Sequence, residues 1–126
     1  MKVLLTTLNS KYSHVNIAQY YLRKCIEDLC DVEIKHFTIN DNLENILESI
    51  LQTNANLVCF GCYIWNIEQT LKLCKNIKNM KKDITIALGG PEVSYNPNEV
   101  LKNNKVISAI MCGEGENAIR QLVIDY

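Results

Sequence analysis

The spacing of apolar residues alternates along the chain between short runs and stripes at helical intervals. Runs rich in apolar and β-branched residues predict five strands, at 2–8, 32–39, 57–64, 84–88 and 106–111. The first and third runs are almost continuously apolar, whereas the second alternates apolar and polar residues, as a strand with one exposed face does. The pattern therefore predicts a sheet with buried central strands and its second strand at an edge.

Apolar residues three and four positions apart predict helices between these strands. The helices are expected at 16–30, 43–51, 67–77, from Pro97 and from Glu116. Asp41 and Glu44 have the spacing of a capping box ahead of the second helix. Strands that alternate with helices favour a parallel sheet covered on both faces. We therefore expect one α/β domain, residues 1–126, that is a Rossmann-like (flavodoxin-like) three-layer sandwich with strand order 2-1-3-4-5.

Composition and charge narrow the classes of function. The formal net charge is −1 and no basic stripe is present, which argues against a nucleic-acid partner. No apolar run reaches the roughly 18 residues that a membrane span needs. We expect a cytoplasmic protein with neither a nucleic-acid nor a membrane partner.

The cysteines and histidines do not predict a metal site. Cys59 and Cys62 form a C-x-x-C within a predicted strand, where positions three apart point to opposite faces. The chain has only two histidines, which is few for a zinc site. The six cysteines are interpreted as buried, reduced residues that act as small apolar side chains.

Unusual residues gather in the loops that follow the strands, where ligands bind in sheets of this type. Glycines follow the fourth strand at 89–90 and the fifth at 113 and 115, and an aromatic pair follows the third. The glycines could serve only to turn the chain, because glycine tolerates positive φ. Together with the aromatic loop, however, they favour a broad, flat ligand over this edge of the sheet.

Other chemistries fit these loops less well. Residues 113–118, "GEGENA", match the dinucleotide fingerprint G-x-G-x-x-A, but they follow the fifth strand rather than the first. A response regulator would need an aspartate where "CYIWN" ends the third strand. A flavodoxin-like module that binds FMN or another ligand, or a non-catalytic interaction domain, stays open as an alternative. No acid, base or nucleophile set is spaced for catalysis, so no catalytic residue is assigned.

Four loop sequences, taken in order, carry a family resemblance. "LNSKYSHVNIAQYYL", "CYIWN", "LGGPEVSYNP" and "CGEGE" resemble the N-terminal cobalamin-binding domain of B12-dependent radical SAM proteins. The resemblance implies a Rossmann-like fold that binds cobalamin (B12). It also implies a C-terminal radical SAM domain of the same protein, which binds S-adenosylmethionine and a 4Fe-4S cluster through a C-x-x-x-C-x-x-C motif absent from these residues. The chain is therefore expected to be the front domain of a longer enzyme, of methyltransferase or cyclase-like type.

The resemblance places the cofactor-binding residues in the four loops. Bare glycine backbone would let the ligand approach closely, serine and tyrosine hydroxyls would offer hydrogen bonds, and the aromatic pair would supply apolar area. The candidates are Asn9, Ser10, Lys11, Tyr12, Ser13, Tyr63, Trp65, Asn66, Gly89, Gly90, Pro91, Glu92, Gly113, Glu114, Gly115 and Glu116.

One departure from related cobalamin domains concerns the lower face of the cobalt. Methionine synthase and mutase types carry D-x-H-x-x-G, whose histidine becomes the lower cobalt ligand. Aligned on the start of the first helix, Asn9, Lys11 and His14 replace the Asp, His and Gly of that motif. The resemblance therefore implies base-off cobalamin without a histidine ligand, and no residue of this chain is expected to bind the metal.

Overall fold

The computed structural model describes residues 1–11, 17–113 and 115–126. Within them, strands and helices alternate along the chain. The strands are β1 (Lys2–Asn9), β2 (Asp31–Thr38), β3 (Leu57–Gly61), β4 (Thr85–Gly89) and β5 (Ala109–Met111). The helices are α1 (Ile17–Ile26), α2 (Leu43–Gln52), α3 (Ile67–Met80), α4 (Pro91–Ser94), α5 (Pro97–Asn103) and α6 (Glu116–Asp125).

The five strands form one sheet in the order β2-β1-β3-β4-β5, and every pairing is parallel. The predicted fold and strand order are thus confirmed. β2 lies at an edge, and most of its residues are only partly buried, as its alternating pattern predicts. The carboxyl ends of β1, β3, β4 and β5 meet along one rim of the sheet, so their loops share that rim.

Helices cover both faces of the sheet. One face packs against α2, α3 and α4, with Ile46, Leu73 and Val93 in a core that includes Phe60 and Leu88 of the strands. On the other face, residues of α1 and α6 form a smaller core with Leu5, Leu57 and Met111 among others. The guanidinium of Arg120 in α6 donates to both carboxylate oxygens of Asp28, at 2.9 and 3.0 Å. It also donates to Cys25 O at 2.9 Å. These bonds join α6 to α1 at the end remote from the rim.

Several boundaries differ from the prediction. β3 ends at Gly61, because the chain turns at the rim, so Tyr63 and Ile64 lie in a loop rather than in the strand. β5 begins only at Ala109. α4, a single turn after the Gly-Pro pair, was not predicted. The cap of α2 is Asn42, whose Oδ1 accepts from Glu44 N at 2.8 Å.

Asp41, expected as that cap, instead accepts a hydrogen bond from Thr38 N at 2.8 Å, so its carboxylate closes the turn after β2. No helix in the described ranges is long and apolar enough to cross a membrane.

The cysteines are all free thiols, and the prediction that they are buried is right for only some of them. Cys59, Cys62 and Cys74 are buried, Cys25 and Cys30 are half-buried, and Cys112 is exposed at the rim. Cys59 and Cys62 pack into the cores on opposite faces of the sheet, as predicted, although Cys62 lies one residue beyond the strand. Among the described residues, no group of three or more His, Cys, Asp or Glu side chains could hold a metal ion.

Candidate functional site

A cleft of about 200 Å³ opens at the rim, on the face that α1 and α6 cover. Its walls are α1, the ends of β3, β4 and β5, and the loop that leads into α6. None of its described lining residues is charged, and all five glycines of the chain are among them. The lining consists of Ala18, Gln19, Leu22, Cys59, Phe60, Gly61, Tyr63, Gly89, Gly90, Met111, Gly113 and Gly115.

The cleft exists because side chains on this face become smaller towards the rim. Along β3 they run from Leu57 through Cys59 to Gly61. On β4, Ala87 pairs with Cys59 and Gly89 pairs with Gly61, so the decrease in size is in register across two central strands. Side chains that would otherwise fill the space between sheet and α1 are therefore missing together.

Gln19 is the polar residue of the inner wall. Its side chain is only 3% exposed, and its Nε2 donates to Thr6 O at 3.1 Å. Its Oε1 has no hydrogen-bond partner in the part of the chain that the structure describes. Buried carbonyl oxygens are usually paired, so a lone acceptor in the wall of a cleft is a feature to explain.

Gly90 and Gly113 both have positive φ but have different surroundings. At Gly90, with φ 102°, a Cβ would lie 2.5 Å from Cys62 O and 2.9 Å from Cys62 N. The absence of a side chain there lets the loops after β3 and β4 pack backbone to backbone. At Gly113, with φ 71°, a Cβ would have nothing within 4 Å. Gly90 thus serves the fold as well as the cleft, whereas Gly113 leaves the mouth of the cleft open.

The loop after β3 is held by a buried amide. Asn66 is 1% exposed; its Oδ1 accepts from Tyr63 N, and its Nδ2 donates to Leu8 O and Gly61 O at 3.0 and 3.1 Å. These bonds give Asn66, one of the predicted cofactor-binding residues, a positioning role between the ends of β1 and β3.

Above that amide lie two stacked aromatic rings. The ring centroids of Tyr63 and Trp65 are 4.6 Å apart, and the two ring planes are almost parallel, with an angle of 2° between them. Trp65 Nε1 donates to Leu8 O at 3.2 Å, yet 44% of the residue stays exposed. Because Tyr63 also lines the cleft, the pair continues its wall onto the open rim as a flat apolar surface.

The other candidates that the structure describes lie around the rim and do not line the cleft. Asn9 is buried at the end of β1, Ser10 is half-buried and Lys11 is exposed. Glu92 lines a separate groove beside α3 and α5, and Glu116 begins α6. Pro91 is exposed in the first turn of α4. Tyr12, Ser13, His14 and Glu114 lie outside the described residues.

Residues 2–123 match the family described as the B12 binding domain. The chain belongs to this family. It is therefore a cobalamin-binding module, and the resemblance seen in the loop sequences is confirmed.

Relatives of this B12-binding domain include two bacterial methyltransferases. It is 28% identical over 68 residues to the cobalamin-dependent radical SAM methyltransferase TokK of Streptomyces tokunonensis, a match that covers 54% of this chain and 10% of the relative. It is 27% identical over 73 residues to 2-(S-pantetheinyl)-carbapenam-3-carboxylate methyltransferase of Streptantibioticus cattleyicolor. That match covers 58% of this chain and 11% of the relative. The chain thus spans about a tenth of the length of these relatives.

A solved structure shares the fold over nearly the whole domain. The cobalamin-dependent S-adenosylmethionine radical enzyme OxsB, with aqua-cobalamin and S-adenosylmethionine bound, superposes with a TM-score of 0.80 and 17% identity. The match covers 97% of this B12-binding domain and 18% of OxsB.

The geometry of the domain fits a cobamide. The uncharged cleft, with its glycines and a lone buried acceptor, suits a narrow group that carries few charges and at least one donor. The exposed rim, with its aromatic pair, suits a flat macrocycle. Both features belong to one molecule in cobalamin, whose corrin ring carries a nucleotide tail.

The sequence prediction missed part of the cleft of this B12-binding domain. Gly61 was overlooked because it stands alone inside an apolar run, and Gln19 because it lies in a helix rather than in a loop. A signal was present for both: Gly61 ends the decreasing series on one face of β3, and Gln19 is a polar residue that faces the sheet. Ala18, Leu22 and Met111 are ordinary core residue types, and nothing in the sequence distinguishes them.

Proposed function

We propose that the domain binds base-off cobalamin with the nucleotide tail in the cleft and the corrin ring over the rim. The observation that carries the proposal is the position of the cleft: it is uncharged, open at the rim, and lined by Tyr63, which stacks on Trp65. The indole of Trp65 bonds to Leu8 O at the end of β1, so the aromatic pair lies between the ends of β1 and β3. Ligands of doubly wound sheets bind outside the carboxyl ends of the strands, at the point where strand order reverses. In this sheet that point lies between β1 and β3.

The residues of the chain would divide the binding between them. Gly61 and Gly89 leave room for the tail beside the sheet, and Gly113 leaves the entrance clear. The Tyr63–Trp65 pair would contact an edge or face of the corrin, with the indole held in place by Leu8 O. Apolar contact of this kind contributes about 25 cal/mol per Å² buried.

We further propose that the module serves a radical SAM enzyme of methyltransferase or cyclase-like type. Bound cobalamin supplies a cobalt that can exchange a methyl group or an electron. Support comes from TokK and OxsB, both described as cobalamin-dependent radical SAM or S-adenosylmethionine radical proteins. A C-terminal domain would then bind S-adenosylmethionine and a 4Fe-4S cluster. A cytoplasmic setting is supported by six free thiols.

A spectral titration of the purified chain tests the binding function. Hydroxocobalamin and FMN are added separately, and their visible spectra are followed. We expect saturable binding of hydroxocobalamin at micromolar concentration and no turnover of either compound. Tighter binding of FMN would favour the flavodoxin-like alternative and would contradict the proposal.

A second experiment tests the lower face of the cobalt. We expect cob(II)alamin bound to the chain to give an electron paramagnetic resonance spectrum without nitrogen splitting, because the position of the usual histidine is taken by Lys11. An axial nitrogen would split each cobalt line into three. A triplet that disappears in His14→Ala would show that His14 is a ligand after all, and would refute this part of the proposal.

A further inference from the structure

The amide of Gln19 has a fixed orientation. Thr6 O can only accept a hydrogen bond, and it lies 3.1 Å from one end of the amide, so that end must be the nitrogen. The other end is therefore the oxygen, which can only accept. The side chain is buried in the wall of the cleft, and this oxygen has no partner among the described residues.

We propose that Gln19 Oε1 accepts a hydrogen bond from an N–H or O–H donor at the nucleotide end of the bound cobamide. The inference rests on the proposed function, which places that end in the cleft. Gln19 is the only carboxamide among the described lining residues, and the others are glycines, apolar side chains, Cys59 and Tyr63. A ligand donor would satisfy the buried acceptor that the described residues leave unpaired in the wall of the cleft.

The nucleotide end offers two sources of such a donor. The ribose carries a hydroxyl in every cobamide that has this tail. The lower base differs: adenine carries an exocyclic amine, whereas 5,6-dimethylbenzimidazole, when off the cobalt, has no N–H. If the base is the source, Gln19 makes the domain selective for amine-bearing lower bases. If the ribose is the source, Gln19 distinguishes complete cobamides from tail-less ones.

Three ligands and two variants test the inference. Adeninylcobamide, the dimethylbenzimidazole form and cobinamide, which lacks the nucleotide, are titrated into the wild-type chain, Gln19→Met and Gln69→Met. Methionine keeps the length of glutamine without its acceptor. Gln69 lies outside the cleft, and its Nε2 donates to Ile39 O at 2.8 Å, so Gln69→Met controls for the loss of a glutamine bond to a backbone carbonyl. Thermal midpoints of all three proteins are measured alongside.

We expect Gln19→Met to weaken binding about three- to tenfold, the size of one buried hydrogen bond. A loss confined to adeninylcobamide identifies the base as donor, and an equal loss for both nucleotide-bearing ligands identifies the ribose. The inference is overturned if affinity is unchanged, if cobinamide loses as much, or if Gln69→Met reproduces the loss. If the wild-type chain binds none of the three ligands, the proposed function itself is wrong. If the wild type binds them and Gln19→Met binds them equally well, only the inference about Gln19 is wrong.

Discussion

The two faces of the sheet are built from the same strands but differ at the rim. On the face covered by α2, α3 and α4, large side chains continue to the strand ends, with Phe60 on β3 and Leu88 on β4. On the opposite face the neighbouring positions are Gly61 and Gly89, and the packing stops short of the rim. Because successive side chains of a strand point to opposite faces, one face can be fully packed while the other leaves space for a ligand.

The largest effect is expected from a cavity on the packed face. Leu88→Ala removes a fully buried side chain, and we expect a loss of about 2–5 kcal/mol in the free energy of unfolding. Cobalamin affinity of the folded protein should change little, because Leu88 does not line the cleft. Denaturant unfolding and spectral titration measure the two quantities. A variant that keeps its stability but loses affinity would contradict this division between the faces.

Two of the three glycines with positive φ, Gly90 and Gly113, should differ in what an added side chain costs the fold. Gly90→Ala would bring a Cβ against the backbone of Cys62, and we expect it to cost more than the roughly 1–3 kcal/mol of the strained conformation alone. Gly113→Ala meets open space, so only about 1–2 kcal/mol of left-handed strain is expected. Thermal unfolding of both variants is the measurement. Equal midpoints would show that the contact at Gly90 relaxes freely.

Filling the cleft should damage binding more than stability. In Gly89→Val the new side chain meets the flexible end of Met111, with its Cβ 3.2 Å from Met111 Cε, and the remaining methyls occupy ligand space. We expect cobalamin affinity to fall more than tenfold, or about 1.4 kcal/mol. Gly89→Ala is the matched control, with a smaller loss expected. If Gly89→Val binds cobalamin normally, the tail does not enter the cleft.

The smallest effect concerns the burial of one cysteine thiol on each face and the pH dependence of stability that follows from it. Burial raises the pKa of Cys59, on the cleft face, to about 12, with a smaller contribution from Cys30. Burial, with a smaller contribution from Glu92, likewise raises the pKa of Cys62 to about 12 on the packed face. Both thiols ordinarily titrate near 9.0, so the unfolded chain releases these protons first as pH rises. Their contribution to stability is complete below pH 9 and is lost between pH 9 and about 12.

We expect each thiol to lower the free energy of unfolding by about 1 kcal/mol per pH unit in that window. Unfolding between pH 8 and 11 of Cys59→Ala and Cys62→Ala measures the two contributions. The free energy of unfolding of each variant should fall less steeply with pH than that of the wild type. If the free energy of unfolding of Cys59→Ala, but not that of Cys62→Ala, falls as steeply with pH as that of the wild type, water reaches Cys59 through the cleft.

Sequence patterns could predict the sheet but only part of the site. The strand order could be predicted because β2 is the most amphipathic strand. The ligand-binding rim could be predicted because the unusual residues lie in the loops that follow the strands. The cleft was harder to foresee, because it depends on Cys59 pairing with Ala87 and Gly61 with Gly89, and register between distant strands is not visible in one chain. Asn66 was assigned to the ligand because its polarity was visible, whereas the backbone groups that use its amide appear only in the fold.

The chain has a single tryptophan, and it lies at the rim. Trp65 is half-exposed, stacked on Tyr63 and bonded through its indole nitrogen to Leu8 O. Its fluorescence therefore reports from one known place, without contributions from any other indole. A corrin absorbs in the near-ultraviolet and visible, so a bound cobamide would quench that emission by energy transfer at short range. The domain carries its own optical probe for binding, and unlabelled protein is sufficient to follow the kinetics of cofactor loading.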